Sequence, residues 1–114
     1  MDINTIIAGM FALFTWTSDL DQFGVLDDQR SYVDDLFAGR PFTDDCDGFA
    51  LTAVDAMRRI DVPAWTVTVR LPFDQGDHMI AVYHHNGVTW ALDNRQTRPV
   101  PLGQLLKNSR YRIR

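Results

Sequence analysis

The sequence contains no glutamate and only one lysine. All 15 acidic residues of the 114-residue chain are aspartate, and all but one of its 11 basic residues are arginine. Aspartate is a poor helix-interior residue but a good helix cap, turn residue and hard-cation ligand, so the positions of these carboxylates are informative. Residues 1–61 carry a net charge of -8 and residues 62–114 a net charge of +4. We interpret the two halves as complementary parts of one fold.

Cysteine and long apolar runs are also scarce. Cys46 is the only cysteine, which excludes an internal disulfide and argues against a cysteine-built zinc site. The single apolar run, residues 6–14, is too short to span a bilayer, and it lacks the basic start and cleavage pattern of a signal peptide. We therefore expect a cytoplasmic protein with no membrane partner, and a buried first helix over this run.

The order of the predicted elements indicates an α+β fold in a single domain, residues 1–114. Helices are predicted over the apolar run, from residue 27 or 28 to residue 39, and from a cap at Asp44 or Asp45 to residue 60. Strands are predicted at residues 65–71, 78–85, 88–93 and 111–114, with a short helix at residues 102–106. N-terminal helices would then pack on a C-terminal antiparallel sheet.

Asn-Gly at residues 86–87, between two apolar runs, is a strong β-hairpin signal. A two-residue loop fixes the register, and in that register His78 and Asp93 lie on the same face as diagonal neighbours. The two side chains can therefore form an imidazole–carboxylate pair at one end of the hairpin. His84 lies near the turn and His85 points to the other face, so we interpret both as surface residues.

Cys46 lies at the predicted start of the third helix. Unpaired N–H groups at a helix N-terminus stabilise a thiolate, whereas the three flanking aspartates raise the thiol pKa. Position alone also fits a free buried cysteine. With a histidine to take the thiol proton and a carboxylate to orient that histidine, the pattern favours a catalytic triad of Cys46, His78 and Asp93.

Three blocks carry a family resemblance: Asp-Cys-Asp-Gly-Phe-Ala at 45–50, Asp-His-Met-Ile-Ala-Val at 77–82 and Ala-Leu-Asp-Asn-Arg at 91–95. Together they resemble the bacterial transglutaminase-like cysteine proteinases, which are papain-like thiol hydrolases. The resemblance covers residues 14–114 and is strongest to short, phage-encoded versions, whose aromatic, Ser-Asp and Gln-aromatic-Gly run is echoed at residues 16–24.

The resemblance implies a minimal papain-like/transglutaminase-like core that hydrolyses an amide bond of a protein or peptide substrate. In this chain the nucleophile would be Cys46, the general base His78 and the orienting acid Asp93. Hydrolysis and acyl transfer use the same triad, so the acceptor stays open. A phage-encoded protein of this type would act in the host cytoplasm or in the virion.

The resemblance also implies a calcium ion at Asp45 and Asp47, whose oxygens suit Ca²⁺. Two departures weaken that prediction, because Asp44 replaces the family's usual glycine and Gly48 replaces an acidic residue. The glutamine that papain-like enzymes place before the cysteine is missing as well. The candidate oxyanion donors are the N–H of Cys46 and one of Trp16, Gln22 and Gln29.

Two other functions fit parts of the sequence. A catalytically degenerate copy of the fold could serve as an interaction module or a phage virion component. A nucleic-acid-binding protein is less favoured, because the basic run lacks regular spacing and has one stacking residue, Tyr111. That run consists of Arg95, Arg98, Lys107, Arg110, Arg112 and Arg114.

Overall fold

The structure, a computed structural model, describes residues 1–17 and 30–114. It has the predicted α+β architecture, in which helices pack against a curled antiparallel sheet. The helices are α1 (Ile3–Leu13), α2 (Val33–Phe37), α3 (Cys46–Arg59) and α4 (Leu102–Ser109). The strands are β1 (Phe14–Trp16), β2 (Phe42–Asp44), β3 (Ala64–Arg70), β4 (Asp77–His85), β5 (Val88–Leu92), β6 (Val100–Pro101) and β7 (Arg112–Ile113).

The larger sheet has five antiparallel strands in the order β6-β5-β4-β3-β7. Its central hairpin, β4–β5, has the predicted register, with His85 paired to Val88. Asn86 and Gly87 both adopt positive φ, 52° and 76°, as the tight turn between the strands requires. Because the register is confirmed, the predicted shared face of the two site residues on this hairpin also holds.

Helix α3 forms the centre of the core and packs on β3 and β4. Its N-cap, Asp45, accepts hydrogen bonds from the backbone N–H groups of Asp47 and Gly48. The apolar face that follows includes Phe49, which is fully buried against Phe11 and Phe14. Full burial of one such aromatic side chain contributes about 1.5–3 kcal/mol. Capping and burial together fix where the helix begins, and its first residue is Cys46.

A short parallel pair, β1 with β2, was not predicted from the sequence. Helix α1 ends at Leu13, one residue before the end of the apolar run, and Phe14 instead pairs with Phe42. The rings of these two phenylalanines pack 5.8 Å apart. Trp16 pairs with Asp44, and the backbone N–H of Thr17 donates to the carbonyl of Asp44 at 2.8 Å. This pairing holds the N-terminal segment beside the start of α3.

Two predicted helix boundaries are wrong. Residues 27–29 lie outside the described residues, but the described helix begins at Val33 rather than running on from residue 27 or 28. The N–H of Tyr32 instead donates to the hydroxyl of Thr52 on α3, at 2.8 Å. Helix α4 runs to Ser109 rather than residue 106, because Arg110 caps it in a left-handed conformation, φ 57°.

The second face of the large sheet is covered by α4 and the residue that follows its cap. Leu105 and Tyr111 pack there against a buried apolar cluster from the strands. The strand members of this cluster are Val69, Leu71, Ile80, Val82 and Ala91. Both faces of the sheet are therefore buried. Among the described residues, no helix is long and apolar enough to cross a membrane.

Candidate active site

Cys46 occupies the first position of α3 and is half-buried. Its thiol donates a hydrogen bond to Oδ1 of Asp47 at 3.5 Å. The backbone N–H of Met79 also contacts the sulfur. Since Met79 directly follows His78, the thiol lies against the beginning of β4.

Burial, together with the neighbouring Asp47 and Asp45 carboxylates, raises the pKa of the Cys46 thiol to about 12. The Met79 N–H acts in the opposite direction but does not outweigh them. The sequence offered two opposing influences on this thiol, the helix N-terminus and the flanking aspartates. Burial and the aspartates prevail, so the resting thiol is protonated at neutral pH.

His78 and Asp93 form the predicted pair. Nε2 of His78 lies 2.6 Å from Oδ1 of Asp93, and both side chains are buried, with 4% and 0% of their surface exposed. The carboxylate also accepts from the N–H of Arg95 at 3.0 Å and from the hydroxyl of Tyr111 at 2.9 Å. Burial alone would raise the pKa of Asp93, but these hydrogen bonds lower it overall.

The tautomer of His78 follows from this arrangement. A carboxylate can only accept, so the ring nitrogen that faces it, Nε2, carries the proton. The other nitrogen, Nδ1, is then an acceptor and can take a proton. The structure thus brings His78 to Asp93 and brings Cys46 to the backbone of the next residue of β4.

Tyr111 is a site residue that the sequence did not reveal in this role. Its ring packs edge-on against the His78 imidazole, with centroids 5.8 Å apart, while its hydroxyl holds Oδ2 of Asp93. Burial and the nearby carboxylate raise the Tyr111 pKa to about 12, so it stays a hydrogen-bond donor. An aromatic residue after the last helix carries no sequence signal for such a contact.

The side chain of Asp44 occupies the space beside Gly48. Asp44 is fully buried, and its Oδ1 accepts from the N–H of Asp45 at 2.7 Å. A Cβ on Gly48 would lie 2.2 Å from Oδ2 of Asp44. Within the described residues Oδ2 has no hydrogen-bond partner. The carboxyl of Asp44 therefore fills the volume that any side chain at position 48 would need.

The remaining predicted residues are placed as follows. Asp45 uses Oδ1 to cap α3. Residues 1–17 and 30–114 contain no group of three or more His, Cys, Asp or Glu side chains that could hold a metal ion. Trp16 lies on β1 with 58% of its surface exposed, and His84 contacts Thr89 near the hairpin turn. The two glutamines proposed as oxyanion donors, Gln22 and Gln29, lie outside the described residues.

Comparison with known proteins adds a structural likeness only. No family model matches the chain, and no curated protein matches it. Among solved structures it is similar to LapG from Legionella pneumophila. The EGTA-treated form matches 96% of this chain with a TM-score of 0.64 and 16% sequence identity. The calcium-bound form matches 89% of this chain with a TM-score of 0.58 and 19% identity.

These matches define the fold, which is the transglutaminase-like α+β fold of LapG. The chain spans about three fifths of the LapG chains, 60% of the EGTA-treated one and 58% of the calcium-bound one. The fold predicted from the three sequence blocks is thereby confirmed. The chemistry depends on the residues described above.

Proposed function

We propose that this protein is a cysteine hydrolase that cleaves an amide bond in a protein or peptide. The observation that carries the proposal is the buried pair formed by His78, at the start of β4, and Asp93. The N–H of Met79, the next residue of β4, contacts the Cys46 sulfur. A nucleophile, a base and an orienting acid are the three groups that thiol-based acyl transfer needs. The structural neighbour LapG, a transglutaminase-like cysteine protease, supports the same reaction class.

The mechanism begins from a neutral thiol. Because the thiol pKa is about 12, the proton leaves as the sulfur attacks the carbonyl carbon, and Nδ1 of His78 receives it. Asp93 stabilises the imidazolium that forms and holds the ring in orientation. The N–H of Cys46, at the start of α3, is available to the developing oxyanion. The imidazolium then protonates the leaving amine, and a second acceptor, water or an amine, releases the acyl group from sulfur.

A thiol-directed peptide probe tests this proposal directly. Because Cys46 is the only cysteine, an intact-mass adduct of a peptide vinyl sulfone reports on one site. We expect single labelling of the wild type, none of Cys46→Ala, and labelling of His78→Gln slowed by about 100-fold through loss of the general base. His84→Gln, a histidine near the hairpin turn, is the matched control and should label at the wild-type rate.

Equal labelling rates for the wild type and His78→Gln would contradict the proposal. That result would favour the alternative role as a catalytically degenerate interaction module. Circular dichroism of each variant separates a lost base from a lost fold.

We also propose that Asp45 and Asp47 bind calcium weakly. The two carboxylates supply oxygen ligands of the type that Ca²⁺ prefers, although Asp45 already uses one oxygen as a cap. Among the described residues, no third histidine, cysteine or acidic side chain joins them in a metal-binding group. Calcium would bring positive charge beside two carboxylates that stand at the nucleophile.

Calcium binding should appear as thermal stabilisation. For a weak site with a Kd near 0.1 mM, 10 mM CaCl₂ should raise Tm by about 5–10 °C. Asp47→Asn should remove this increase, whereas Asp55→Asn, further along α3, should keep it. Differential scanning fluorimetry measures Tm, with samples in EGTA and in MgCl₂ as the references for the CaCl₂ sample. A shift that persists in Asp47→Asn would place calcium elsewhere.

A further inference from the structure

A cavity of about 520 Å³ lies beside the candidate site, between the β3–β4 connection and the segment that follows α4. Its lining includes three arginines, one carboxylate and two aromatic rings. These residues are Arg70, Phe73, Asp74, Arg110, Tyr111 and Arg112. Nothing in the proposed mechanism uses this cavity.

The cavity has an excess of positive charge. Arg70 and Arg112 are directly opposite each other in the β3–β7 pair, so the two side chains share a face. Like charges in this position repel each other and destabilise the pair. Asp77 lies 3.9 Å from Arg70 and also pairs with Arg114. In residues 1–17 and 30–114, neither Arg112 nor Arg110 forms an ion pair with an acidic side chain.

The fold therefore holds several arginines close together, and an anionic ligand would reduce the repulsion between their guanidinium groups. Three guanidinium groups line the cavity against the single carboxylate of Asp74. Arginine binds carboxylates through two parallel hydrogen bonds, which gives both affinity and orientation. The charge of the lining thus favours a ligand that carries carboxylate groups.

An apolar contact stands next to these charges. Phe73 has 77% of its surface exposed, and the Arg110 guanidinium lies over its ring, 5.9 Å from the centroid. Phe73 and Asp74 both have positive φ, 59° and 54°, a conformation that costs about 1 kcal/mol or more per non-glycine residue. The strained connection holds an aromatic ring outward at the cavity, where an apolar side chain of a ligand can pack on it.

Tyr111 connects the cavity to the candidate site. It lines the cavity, and its hydroxyl also holds Oδ2 of Asp93 while its ring packs on His78. A ligand in the cavity is therefore separated by one side chain from the acid–base pair. A substrate residue bound in the cavity would therefore lie near the acid–base pair.

We infer that this cavity is a substrate subsite that binds an acidic segment of the polypeptide to be cleaved. The inference rests on the proposed function and adds substrate selectivity to it. Arg110 and Arg112 bind the carboxylates, and Phe73 packs against an apolar residue beside them. A peptide fits better than a nucleic acid, because Asp74 lies in the lining and an exposed ring is present at one point only, rather than along a basic track.

Peptide binding to the inactive Cys46→Ala chain tests the inference without hydrolysis. The probes are fluorescein-labelled decapeptides, one of alternating Glu and Phe and one with Gln in place of Glu, measured by fluorescence anisotropy. At 50 mM NaCl we expect the acidic peptide to bind about tenfold more tightly, and the preference to shrink at 300 mM NaCl. In the same background, Arg110→Gln and Arg112→Gln should each weaken acidic-peptide binding about threefold or more.

Arg40→Gln is the matched control, because Arg40 is an exposed arginine that pairs with Asp35 away from the cavity. It should leave the preference intact. Equal affinity for the two peptides, or a preference that survives both cavity variants, would overturn the inference. So would tighter binding of a dT₁₀ oligonucleotide that the same two variants abolish, which would assign the cavity to nucleic acid.

The outcomes also separate this inference from the proposed hydrolysis. If the wild type reacts with the peptide vinyl sulfone but Cys46→Ala shows no acidic preference, only the subsite is wrong. If the preference is present but the wild type does not react with the probe, the cavity binds acidic peptides in a protein that lacks the proposed activity.

Discussion

Replacing Asp93 with asparagine should lower kcat for peptide hydrolysis by about 10⁴-fold, the loss seen when the orienting carboxylate of a catalytic triad becomes an amide. The carboxylate of Asp93 accepts from His78, Arg95 and Tyr111 at once. An amide has one acceptor oxygen and one NH₂ donor, so it cannot serve all three. If its NH₂ faces the imidazole, His78 must carry its proton on Nδ1, the nitrogen that has to accept the thiol proton.

Tyr111→Phe provides the matched control for this prediction. It removes one hydrogen bond to Asp93 but keeps both the aromatic ring against His78 and the negative charge. We expect kcat to fall by about 10- to 100-fold, far less than in Asp93→Asn, because one hydrogen bond to a charged group contributes about 1.5–3 kcal/mol and the other two remain. Equal losses of kcat in Asp93→Asn and Tyr111→Phe would contradict the prediction, because they would show no added effect of the negative charge of Asp93.

The two variants should also differ in acid. The lowered pKa of Asp93 means that its ionised form stabilises the folded protein at pH values above the ordinary aspartate pKa. This stabilisation is lost as the pH falls through the lowered pKa. Urea unfolding measured from pH 6 downward should show this loss in the wild type and in Tyr111→Phe. Asp93→Asn has no carboxylate at this position and should lack that component of the pH dependence.

Replacing Gly48 with alanine should destabilise the protein by about 3 kcal/mol, the upper part of the range for overpacked cores. Elsewhere in a helix this substitution normally stabilises by up to about 1 kcal/mol, so helix propensity predicts the opposite sign. The difference arises because the new Cβ would lie 2.2 Å from Oδ2 and 2.5 Å from Cβ of Asp44, which is fully buried. The free energy of unfolding in urea measures the effect.

A second substitution shows whether Asp44 is the cause. Asp44→Gly removes every side-chain atom from the crowded space, so the Asp44→Gly/Gly48→Ala double variant should regain about 2 kcal/mol relative to Gly48→Ala alone. Asp44→Ala is the matched control. It keeps the Cβ at position 44, which would lie 2.5 Å from the new Cβ at position 48. It should therefore restore little of the lost stability. Equal rescue by glycine and alanine would show that the carboxyl, not the whole side chain, causes the strain.

The hairpin and the pairing of His78 with Asp93 could be predicted because they depend on local rules. The Asn86–Gly87 turn sets the register, and the alternation of side chains along a strand then places His78 and Asp93 together. Turn chemistry and parity predicted the shared face, and the structure has the two side chains 2.6 Å apart. The start of α3 was equally accessible, because Asp45 is a strong cap before an apolar helical face.

The missed features depend on contacts between segments distant in sequence. Phe14 reads as the end of an apolar helix, and only its pairing with Phe42 makes it a strand residue. Tyr111 gains its position from the packing of α4 on the sheet, which no local pattern encodes. The elevated thiol pKa of Cys46 could not be predicted either, since it is set mainly by burial.

The shared space of positions 44 and 48 restricts the order in which substitutions can accumulate here. This chain has the side chain at the first position and glycine at the second, and the sequence pattern that it resembles has the opposite arrangement. A sequence with side chains at both positions would have to fit them into one volume. In this backbone, a side chain at position 48 therefore requires glycine at position 44. Going from this chain, position 44 must change before position 48.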